Sequence, residues 1–213
     1  MNDNAFGAPG DRGVYASDIT QTVFRDDGID DHFNQTVVTP RIKGLSHYRR
    51  NPAGIHVRPV ASGELGTLHA FVMAALGPGI ASIDTVRRVQ AKQGFSMWKV
   101  LDREFAWSGA YAFLYLNAEG LSAVHDGSFV SIDPDMEHLA QSPHDVVGIF
   151  AWCLVLRGRS KFALHKAATW LDLCGWHDVP LFTNPVTPEG ERLARSLGFV
   201  PLNEPESSVF IAL

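Results

Sequence analysis

The sequence predicts an α/β protein of the mixed α+β kind, in which helices flank a central sheet that is partly antiparallel and partly parallel. The chain has 213 residues, 46% hydrophobic and 19% charged, so it can bury the core of one domain. Strand-like segments follow one another directly in the middle of the chain, which favours antiparallel pairing. Strand-like and helix-like segments then alternate in the second half, which favours parallel pairing around a crossover helix.

The first fifty residues differ in composition from the rest. Apolar residues are sparse there, and residues 26–31 include four aspartates, so we expect 1–50 to be a flexible N-terminal leader. Residues 51–213 form the predicted domain. Its first strand is 55–60, where apolar and polar residues alternate. One helix follows from Ser62 to the stop at Gly77-Pro78-Gly79, and a second is capped by Ser82 and ends at Gly94.

The middle of the chain predicts two strands, 96–101 and 110–116, and then a long loop over 117–144. Turn signals such as Asp126-Gly127 and Asp133-Pro134 punctuate this loop, and a short helical turn is expected at 121–124. The run 146–156 is almost entirely apolar and predicts a strand buried on both faces. A helix capped by Ser160 leads from it to a strand at 179–183. Thr187-Pro188-Glu189 then begins a last helix, and 208–213 is a last strand.

Charge and hydropathy exclude several classes of function. The net charge of -5 and the pI of about 6.0 disfavour a nucleic-acid partner. No run of 18 apolar residues exists to cross a membrane. Residues 1–13 lack the apolar segment of a secretory signal, so we expect a cytoplasmic protein. Cys153 and Cys174 predict buried free thiols, and homodimerisation is left open.

The strongest local signal for chemistry lies where the apolar strand 146–156 runs into a helix. The first N–H groups of a helix lack partners within the helix and, with its dipole, favour an anion. Arg157, Arg159 and Lys161 add positive charge beside Gly158. A pyrophosphate suits such a place, and the alternative is an ordinary turn with basic residues that face solvent.

Three motifs resemble the GNAT superfamily of acyl-CoA N-acyltransferases. Arg157-Gly158-Arg159 after a buried strand is similar to that family's RGxGxG/A loop. The segment 185–199, which ends in Leu197-Gly198-Phe199, resembles its second motif. Residues 55–60 and the helix after them resemble its first strand and helix. The resemblance covers 54–213 and implies a GNAT-like fold that binds acetyl-CoA or another acyl-CoA and acylates an amine acceptor.

The resemblance also implies a cofactor site. The pantetheine arm would lie where strand 146–156 splays from strand 179–183, and would pair with backbone near Cys153 and Val155, while Asn184 contacts the arm. The pyrophosphate would rest on the backbone amides of Arg157, Gly158, Arg159, Ser160, Lys161 and Phe162.

Some residues depart from the family pattern. Ser160 and Phe162 stand where the family has glycine or a small residue, unless a one-residue slip brings Ala163 into place. Ala194 occupies the position of the family's general-acid tyrosine, and Ser196 is the nearest hydroxyl. The catalytic candidates are therefore Ser196, His144 at the start of a strand (or its neighbour Asp145), and Glu104 between the two middle strands.

Two functions are left open. One is an active N-acetyltransferase or other N-acyltransferase, and the other is a catalytically impaired GNAT-fold module that binds acyl-CoA or a protein partner. The acidic balance disfavours an acyltransferase that acts on charged tRNA. The His- and Asp-rich loop lacks HxxxH or HExxH spacing, so no metal site is expected. No serine lies in a GxSxG context, so a serine hydrolase is not supported.

Overall fold

The structure is a computed structural model that describes residues 54–157, 162–202 and 208–212. The predicted leader and residues Gly158, Arg159, Ser160 and Lys161 of the predicted phosphate loop lie outside the described residues. Within the described ranges no helix combines the length and the apolar character needed to cross a bilayer.

The described residues form seven strands and five α-helices. In chain order they are β1 (His56–Pro59), α1 (Leu65–Leu76), α2 (Ile83–Gln93), β2 (Met97–Leu101), β3 (Trp107–Leu116), α3 (Ala118–Asp126), β4 (Gly148–Leu156), α4 (Phe162–Leu173), β5 (Leu181–Thr183), α5 (Pro188–Ser196), β6 (Val200–Pro201) and β7 (Phe210–Ala212). Single 3-10 turns lie at Ser62–Glu64, Met136–His138 and Pro143–Asp145.

The strands form one mixed sheet in the order β1-β2-β3-β4-β5-β7-β6. Consecutive strands from β1 to β4 pair antiparallel, and β4 pairs parallel with β5 after the crossover through α4. β7 then returns antiparallel beside β5 and pairs with β6. The predicted fold class, antiparallel first and parallel around a crossover helix, is confirmed. Strand β6 was not predicted, because a two-residue strand leaves no periodicity to detect.

Each face of the sheet carries its own apolar core. Helices α4 and α5 cover one face, called here the α4 face, where Trp98 stacks near Tyr111 and meets Trp170 at a ring separation of 5.0 Å. Helices α1 and α2 cover the other, called here the α1 face. Trp170 and Leu171 are buried at 1% and 7% exposure, so α4 packs this side on the sheet.

The loop expected over 117–144 contains more structure than the sequence predicted. Helix α3 has nine residues rather than one turn, and the Asn117 side chain caps it by accepting a hydrogen bond from Gly120 N–H at 2.9 Å. Gly120 weakens the helical pattern, since glycine is a poor helix former. It is required there because a Cβ would lie 2.2 Å from the carbonyl oxygen of His138.

A buried glutamine joins α2 to the end of β3. Gln93 is 4% exposed, and its Nε2 donates to the carbonyl of Tyr115 at 2.6 Å and to that of Ala140 at 3.3 Å. Its Oε1 accepts from the Tyr115 N–H at 3.2 Å and from the Ser96 hydroxyl at 3.0 Å. One side chain thus satisfies four polar groups that have little access to water.

We predict that Gln93→Leu lowers the free energy of unfolding by about 2 kcal/mol or more. The substitution preserves size but leaves the Tyr115 N–H and the Ser96 hydroxyl buried without this acceptor, at about 1–3 kcal/mol for each such group. Urea unfolding followed by circular dichroism measures the change. Ala91→Leu, at an exposed position of the same helix, is the matched control and should shift stability by less than about 0.5 kcal/mol. Equal midpoints for the two variants would contradict the role given to Gln93.

Candidate functional site

The central feature of the site is the divergence of β4 from β5. The two strands pair only from Ile149, Phe150 and Ala151 to Leu181, Phe182 and Thr183. Strand β5 ends at Thr183, whereas β4 continues for five more residues to Leu156. Within the described ranges, no strand pairs with this second half of β4 on the β5 side. The sheet therefore opens into a gap beside residues 152–156.

A β-bulge marks the point where the strands part. Ala112 of β3 faces Cys153, but its neighbour Phe113 faces Ala151, so Trp152 is an extra residue in β4. A bulge bends its strand and increases the local twist. It also sends two consecutive side chains to one side, and both Trp152 and Cys153 pack on the α1 face. The bend at Trp152 accounts for the separation from β5.

The peptide groups of the second half of β4 divide between β3 and the gap. The Arg157 N–H donates to the Ser108 carbonyl of β3 at 3.0 Å. Along an antiparallel strand, residues that bond to one neighbour alternate with residues that face the other side. The N–H and carbonyl groups of Val155 therefore point toward β3, and the N–H and carbonyl groups of Leu154 and Leu156 face the gap. Such an exposed strand edge is a template for an extended ligand that carries amides.

A cavity of about 520 Å³ occupies the gap and reaches both faces of the sheet. This gap cavity is lined on the α1 face by residues of α1, α2 and the turn between them, and on the α4 face by residues of α4 and α5. Asn184, Pro185 and Val186, which follow β5, complete the wall opposite β4. Its volume lies within the roughly 300–1,000 Å³ that is typical of small-molecule sites.

The gap cavity is nearly free of charge. No Asp, Glu, Lys or Arg occurs among its lining residues in the described part of the chain. Burial raises the pKa of the Cys153 thiol to about 12, and burial likewise raises the pKa of the Tyr111 phenol above its ordinary value. Both groups therefore stay protonated near neutral pH, and the lining behaves as a medium of low dielectric constant.

A histidine on α1 supplies a basic group to the lining. His69 is half-buried, and its Nε2 lies 3.0 Å from the carbonyl oxygen of Ala81 in the α1–α2 turn. A carbonyl only accepts, so Nε2 is the donor, and in the corresponding imidazole tautomer Nδ1 has the lone pair. The backbone thus selects the tautomer and holds the ring.

The predicted cofactor-binding residues fall into three groups. Cys153 and Asn184 line the gap cavity. Val155 and Phe162 are buried in the cores of the α1 and α4 faces, respectively. Arg157 is exposed at the end of β4, with its guanidinium 4.8 Å from the ring centre of Phe71 on α1. The remaining residues of the predicted loop lie outside the described residues.

The predicted catalytic residues lie away from the described lining. Glu104 is exposed in the β2–β3 turn and pairs with Arg103 at 2.6 Å. His144 is exposed in the 3-10 turn before β4. Ser196 is exposed at the end of α5 and donates to the carbonyl of Leu193 at 2.7 Å. Their catalytic roles stay predictions.

Acidic residues of the loop 117–144 stabilise its turns. Asp133 accepts from the Thr85 hydroxyl at 2.9 Å and pairs with Arg88, which ties the loop to α2 and lowers the pKa of the Asp133 carboxyl. Asp135 caps the next 3-10 turn through the Glu137 N–H. In the ranges described here, no three His, Cys, Asp or Glu side chains are grouped as metal ligands would be.

Sequence reasoning missed His69 and Trp152 as lining residues. His69 follows the buried Leu68 on the edge of the apolar stripe of α1, which is the signal that could have found it. Trp152 is half-buried at the bulge, lines the cavity and donates from Nε1 to the Ser131 carbonyl at 2.6 Å.

The chain matches no family model and no curated protein sequence. It is similar to Ard1 from Thermoplasma volcanium at 9% identity and a TM-score of 0.46, over 74% of this chain and 95% of that one. It is similar to the GNAT-like decarboxylase GphF, solved with isobutyryl-CoA, at 14% identity and a TM-score of 0.44, over 67% of this chain and 72% of that one. It is also similar to the GCN5-related N-acetyltransferase from Sphaerobacter thermophilus, at 13% identity and a TM-score of 0.41, over 70% of this chain and 44% of that one. The second of these proteins is GNAT-like by name, and the third is GCN5-related by name.

Proposed function

We propose that the chain binds an acyl-coenzyme A in the gap between β4 and β5 and transfers its acyl group to an amine. The observation that carries the proposal is the opening of the sheet at Trp152 beside a cavity of about 520 Å³. Acetyl-CoA is the simplest donor in this class, and the cytoplasm is the compartment in which we expect the reaction.

The pantetheine arm fits the edge that β4 exposes. It is a narrow, extended chain with two amides, and the peptide groups of Leu154 and Leu156 face the gap where it would lie. Asn184, at the opposite wall, offers an amide side chain to the same ligand. The pyrophosphate would lie beyond the end of β4, where the sequence carries Arg157, Arg159 and Lys161.

The transfer itself needs a base and a leaving group. His69 Nδ1 would take the proton from the acceptor ammonium, and the freed amine attacks the thioester carbonyl carbon. The tetrahedral intermediate collapses with cleavage of the C–S bond, and coenzyme A leaves as a thiolate. Free thiols have a pKa of about 8.5, so this anion is a competent leaving group. The nitrogen that attacked loses its surplus proton as the amide forms, and the thiolate takes up that proton through water. Tyr111 would be a poor acid for it, because burial raises the pKa of its phenol.

The first prediction concerns binding. Arg159→Glu should weaken coenzyme A binding at least tenfold, about 1.4 kcal/mol, because it places a negative charge beside the pyrophosphate. Calorimetric titration with acetyl-CoA measures the effect. Arg103→Glu, in the exposed β2–β3 turn, is the matched control and should bind as the wild type does. Equal affinity of Arg159→Glu and wild type would place the pyrophosphate elsewhere, and a wild-type chain that binds neither coenzyme A nor any acyl-CoA at millimolar concentration would end the proposal.

The second prediction concerns catalysis. His69→Ala should lower kcat by about 10²–10⁴, the usual contribution of a general base, while the Kd for acyl-CoA changes less than threefold. Steady-state release of coenzyme A, with a panel of amines, gives kcat. His177→Ala is the control, since His177 is exposed and lies outside the described lining.

The residues nominated from the resemblance are the alternatives in this experiment. A loss of turnover with Glu104→Gln, His144→Ala or Ser196→Ala, at unchanged turnover for His69→Ala, would transfer the acid or base role to that residue. Binding without turnover for any amine would favour the second function, a catalytically impaired module that binds acyl-CoA. The uncharged lining is the observation that favours this second function.

The third prediction distinguishes direct transfer from an acyl-cysteine intermediate. With a pKa of about 12, Cys153 is almost wholly a neutral thiol at pH 8, so iodoacetamide should alkylate it at least roughly a hundredfold more slowly than the unfolded chain. Mass spectrometry of the alkylated peptides measures both rates. Cys153→Ala should retain turnover, and an acylated Cys153 peptide trapped during the reaction would contradict direct transfer.

A further inference from the structure

The α1-face half of the gap cavity is apolar over almost its whole surface. Its walls are the side chains of Leu68 and Val72 on α1, Val86 on α2, Met97 on β2 and Phe150 on β4. Four of these five side chains are at most 7% exposed, and Val86 is at 8%. An apolar group that enters this half leaves water and meets apolar side chains on several sides, which is favourable in proportion to the area buried.

Two ring N–H donors in this half already bond to backbone carbonyls. The His69 Nε2–H donates to the Ala81 carbonyl, and the Trp152 Nε1–H donates to the Ser131 carbonyl at 2.6 Å. A ligand group that needs hydrogen-bond donors, such as a carboxylate, would lose its hydration and find few donors among the described side chains of this half, and burial without partners is unfavourable. The chemistry of the wall therefore selects an uncharged, apolar occupant.

The rim of the gap cavity has the same character. Ile132 is 57% exposed and Val186 is 68% exposed, and both belong to the lining. Large apolar side chains with this much exposure at the edge of an apolar cavity are typical of a ligand entry.

We propose that the α1-face half holds the acyl group of the donor, and that this group is an uncharged alkyl chain longer than acetyl. The inference rests on the proposed function. If the pyrophosphate binds where β4 leads into α4, the arm begins on the α4 face, and its thioester end crosses the gap toward the α1 face. Acetyl would leave most of the α1-face half unfilled, whereas a chain of several methylenes would contact Leu68, Val72 and Val86.

The experiment is a calorimetric titration of the 213-residue chain with coenzyme A, acetyl-CoA, butyryl-CoA, octanoyl-CoA and succinyl-CoA. Octanoyl-CoA should bind at least tenfold more tightly than acetyl-CoA, a difference of about 1.4 kcal/mol. Butyryl-CoA should lie between them. Succinyl-CoA, in which a carboxylate replaces the terminal methyl of butyryl-CoA, should bind no better than acetyl-CoA.

A variant that fills the α1-face half tests the location. Val72→Phe should remove the preference for octanoyl-CoA and leave the acetyl-CoA affinity within threefold of wild type. Val200→Phe adds the same side chain on an edge strand, at a position 57% exposed and outside the lining, and should keep the preference. If Val72→Phe fails to fold, as judged by circular dichroism, Val86→Phe fills the same half from α2.

The outcomes separate the two proposals. Equal affinity for acetyl-CoA and octanoyl-CoA overturns the inference and leaves the proposed function intact. If succinyl-CoA binds more tightly than acetyl-CoA, the inference that the acyl group is uncharged is overturned. A preference for octanoyl-CoA that survives both filling variants overturns its location. Failure of every thioester and of free coenzyme A to bind overturns the proposed function itself, and the inference with it.

Discussion

The opening of the sheet depends on one constraint. Strand β4 must stay hydrogen-bonded to β3 along its length while it separates from β5. The extra residue at Trp152 meets both demands. The register before it pairs Phe113 with Ala151, and the register after it pairs Ala112 with Cys153, so β3 is hydrogen-bonded along nearly all of β4. The bend turns the other edge of β4 away from β5. The gap thus arises without loss of the antiparallel half of the sheet, which carries the α1 and α4 cores.

The chemistry of the gap cavity follows from that geometry. A gap within the sheet is walled by the residues that would otherwise form the two cores, so the lining is apolar and comes from both faces. Low dielectric surroundings oppose ionisation, which is why burial raises the pKa of Cys153 and Tyr111. A polar group can work in such a place only if the fold supplies its partner. The Ala81 carbonyl does so for His69, and the Ser131 carbonyl does so for Trp152.

The sequence predicted most of the elements because their signals are local. The Ser82 side chain accepts from the Thr85 N–H and the Thr187 side chain from the Gly190 N–H, each three residues away, and Gly94 and Gly198 end their segments at positive φ. The site was harder to predict because its signals are not local. Every residue of Gly148–Leu156 is apolar or glycine, so this strand has no alternation of polar and apolar residues. An extra residue cannot interrupt a pattern that is absent, and the bulge is therefore undetectable in the sequence. The turn between α1 and α2 places the Ala81 carbonyl beside His69. The need for glycine at position 120 arises from its contact with His138, which is distant in sequence.

The size of the gap cavity limits what can occupy it in the folded chain. A closed, dry cavity of about 520 Å³ would destabilise a protein by roughly 12 kcal/mol at about 24 cal/mol per Å³, which is comparable with the whole stability of a domain. The cavity must therefore contain water or a ligand, and its rim of exposed apolar residues connects it to solvent. Water is a poor occupant of the apolar part of the cavity, because the aliphatic and aromatic side chains there offer it no hydrogen bond. Transfer of an apolar group from solvent into the cavity releases that water and restores packing contacts, so occupancy and folded stability are coupled by mass action. The gap in the sheet thus lowers the stability of the empty chain in a way that a ligand of matching polarity would reverse.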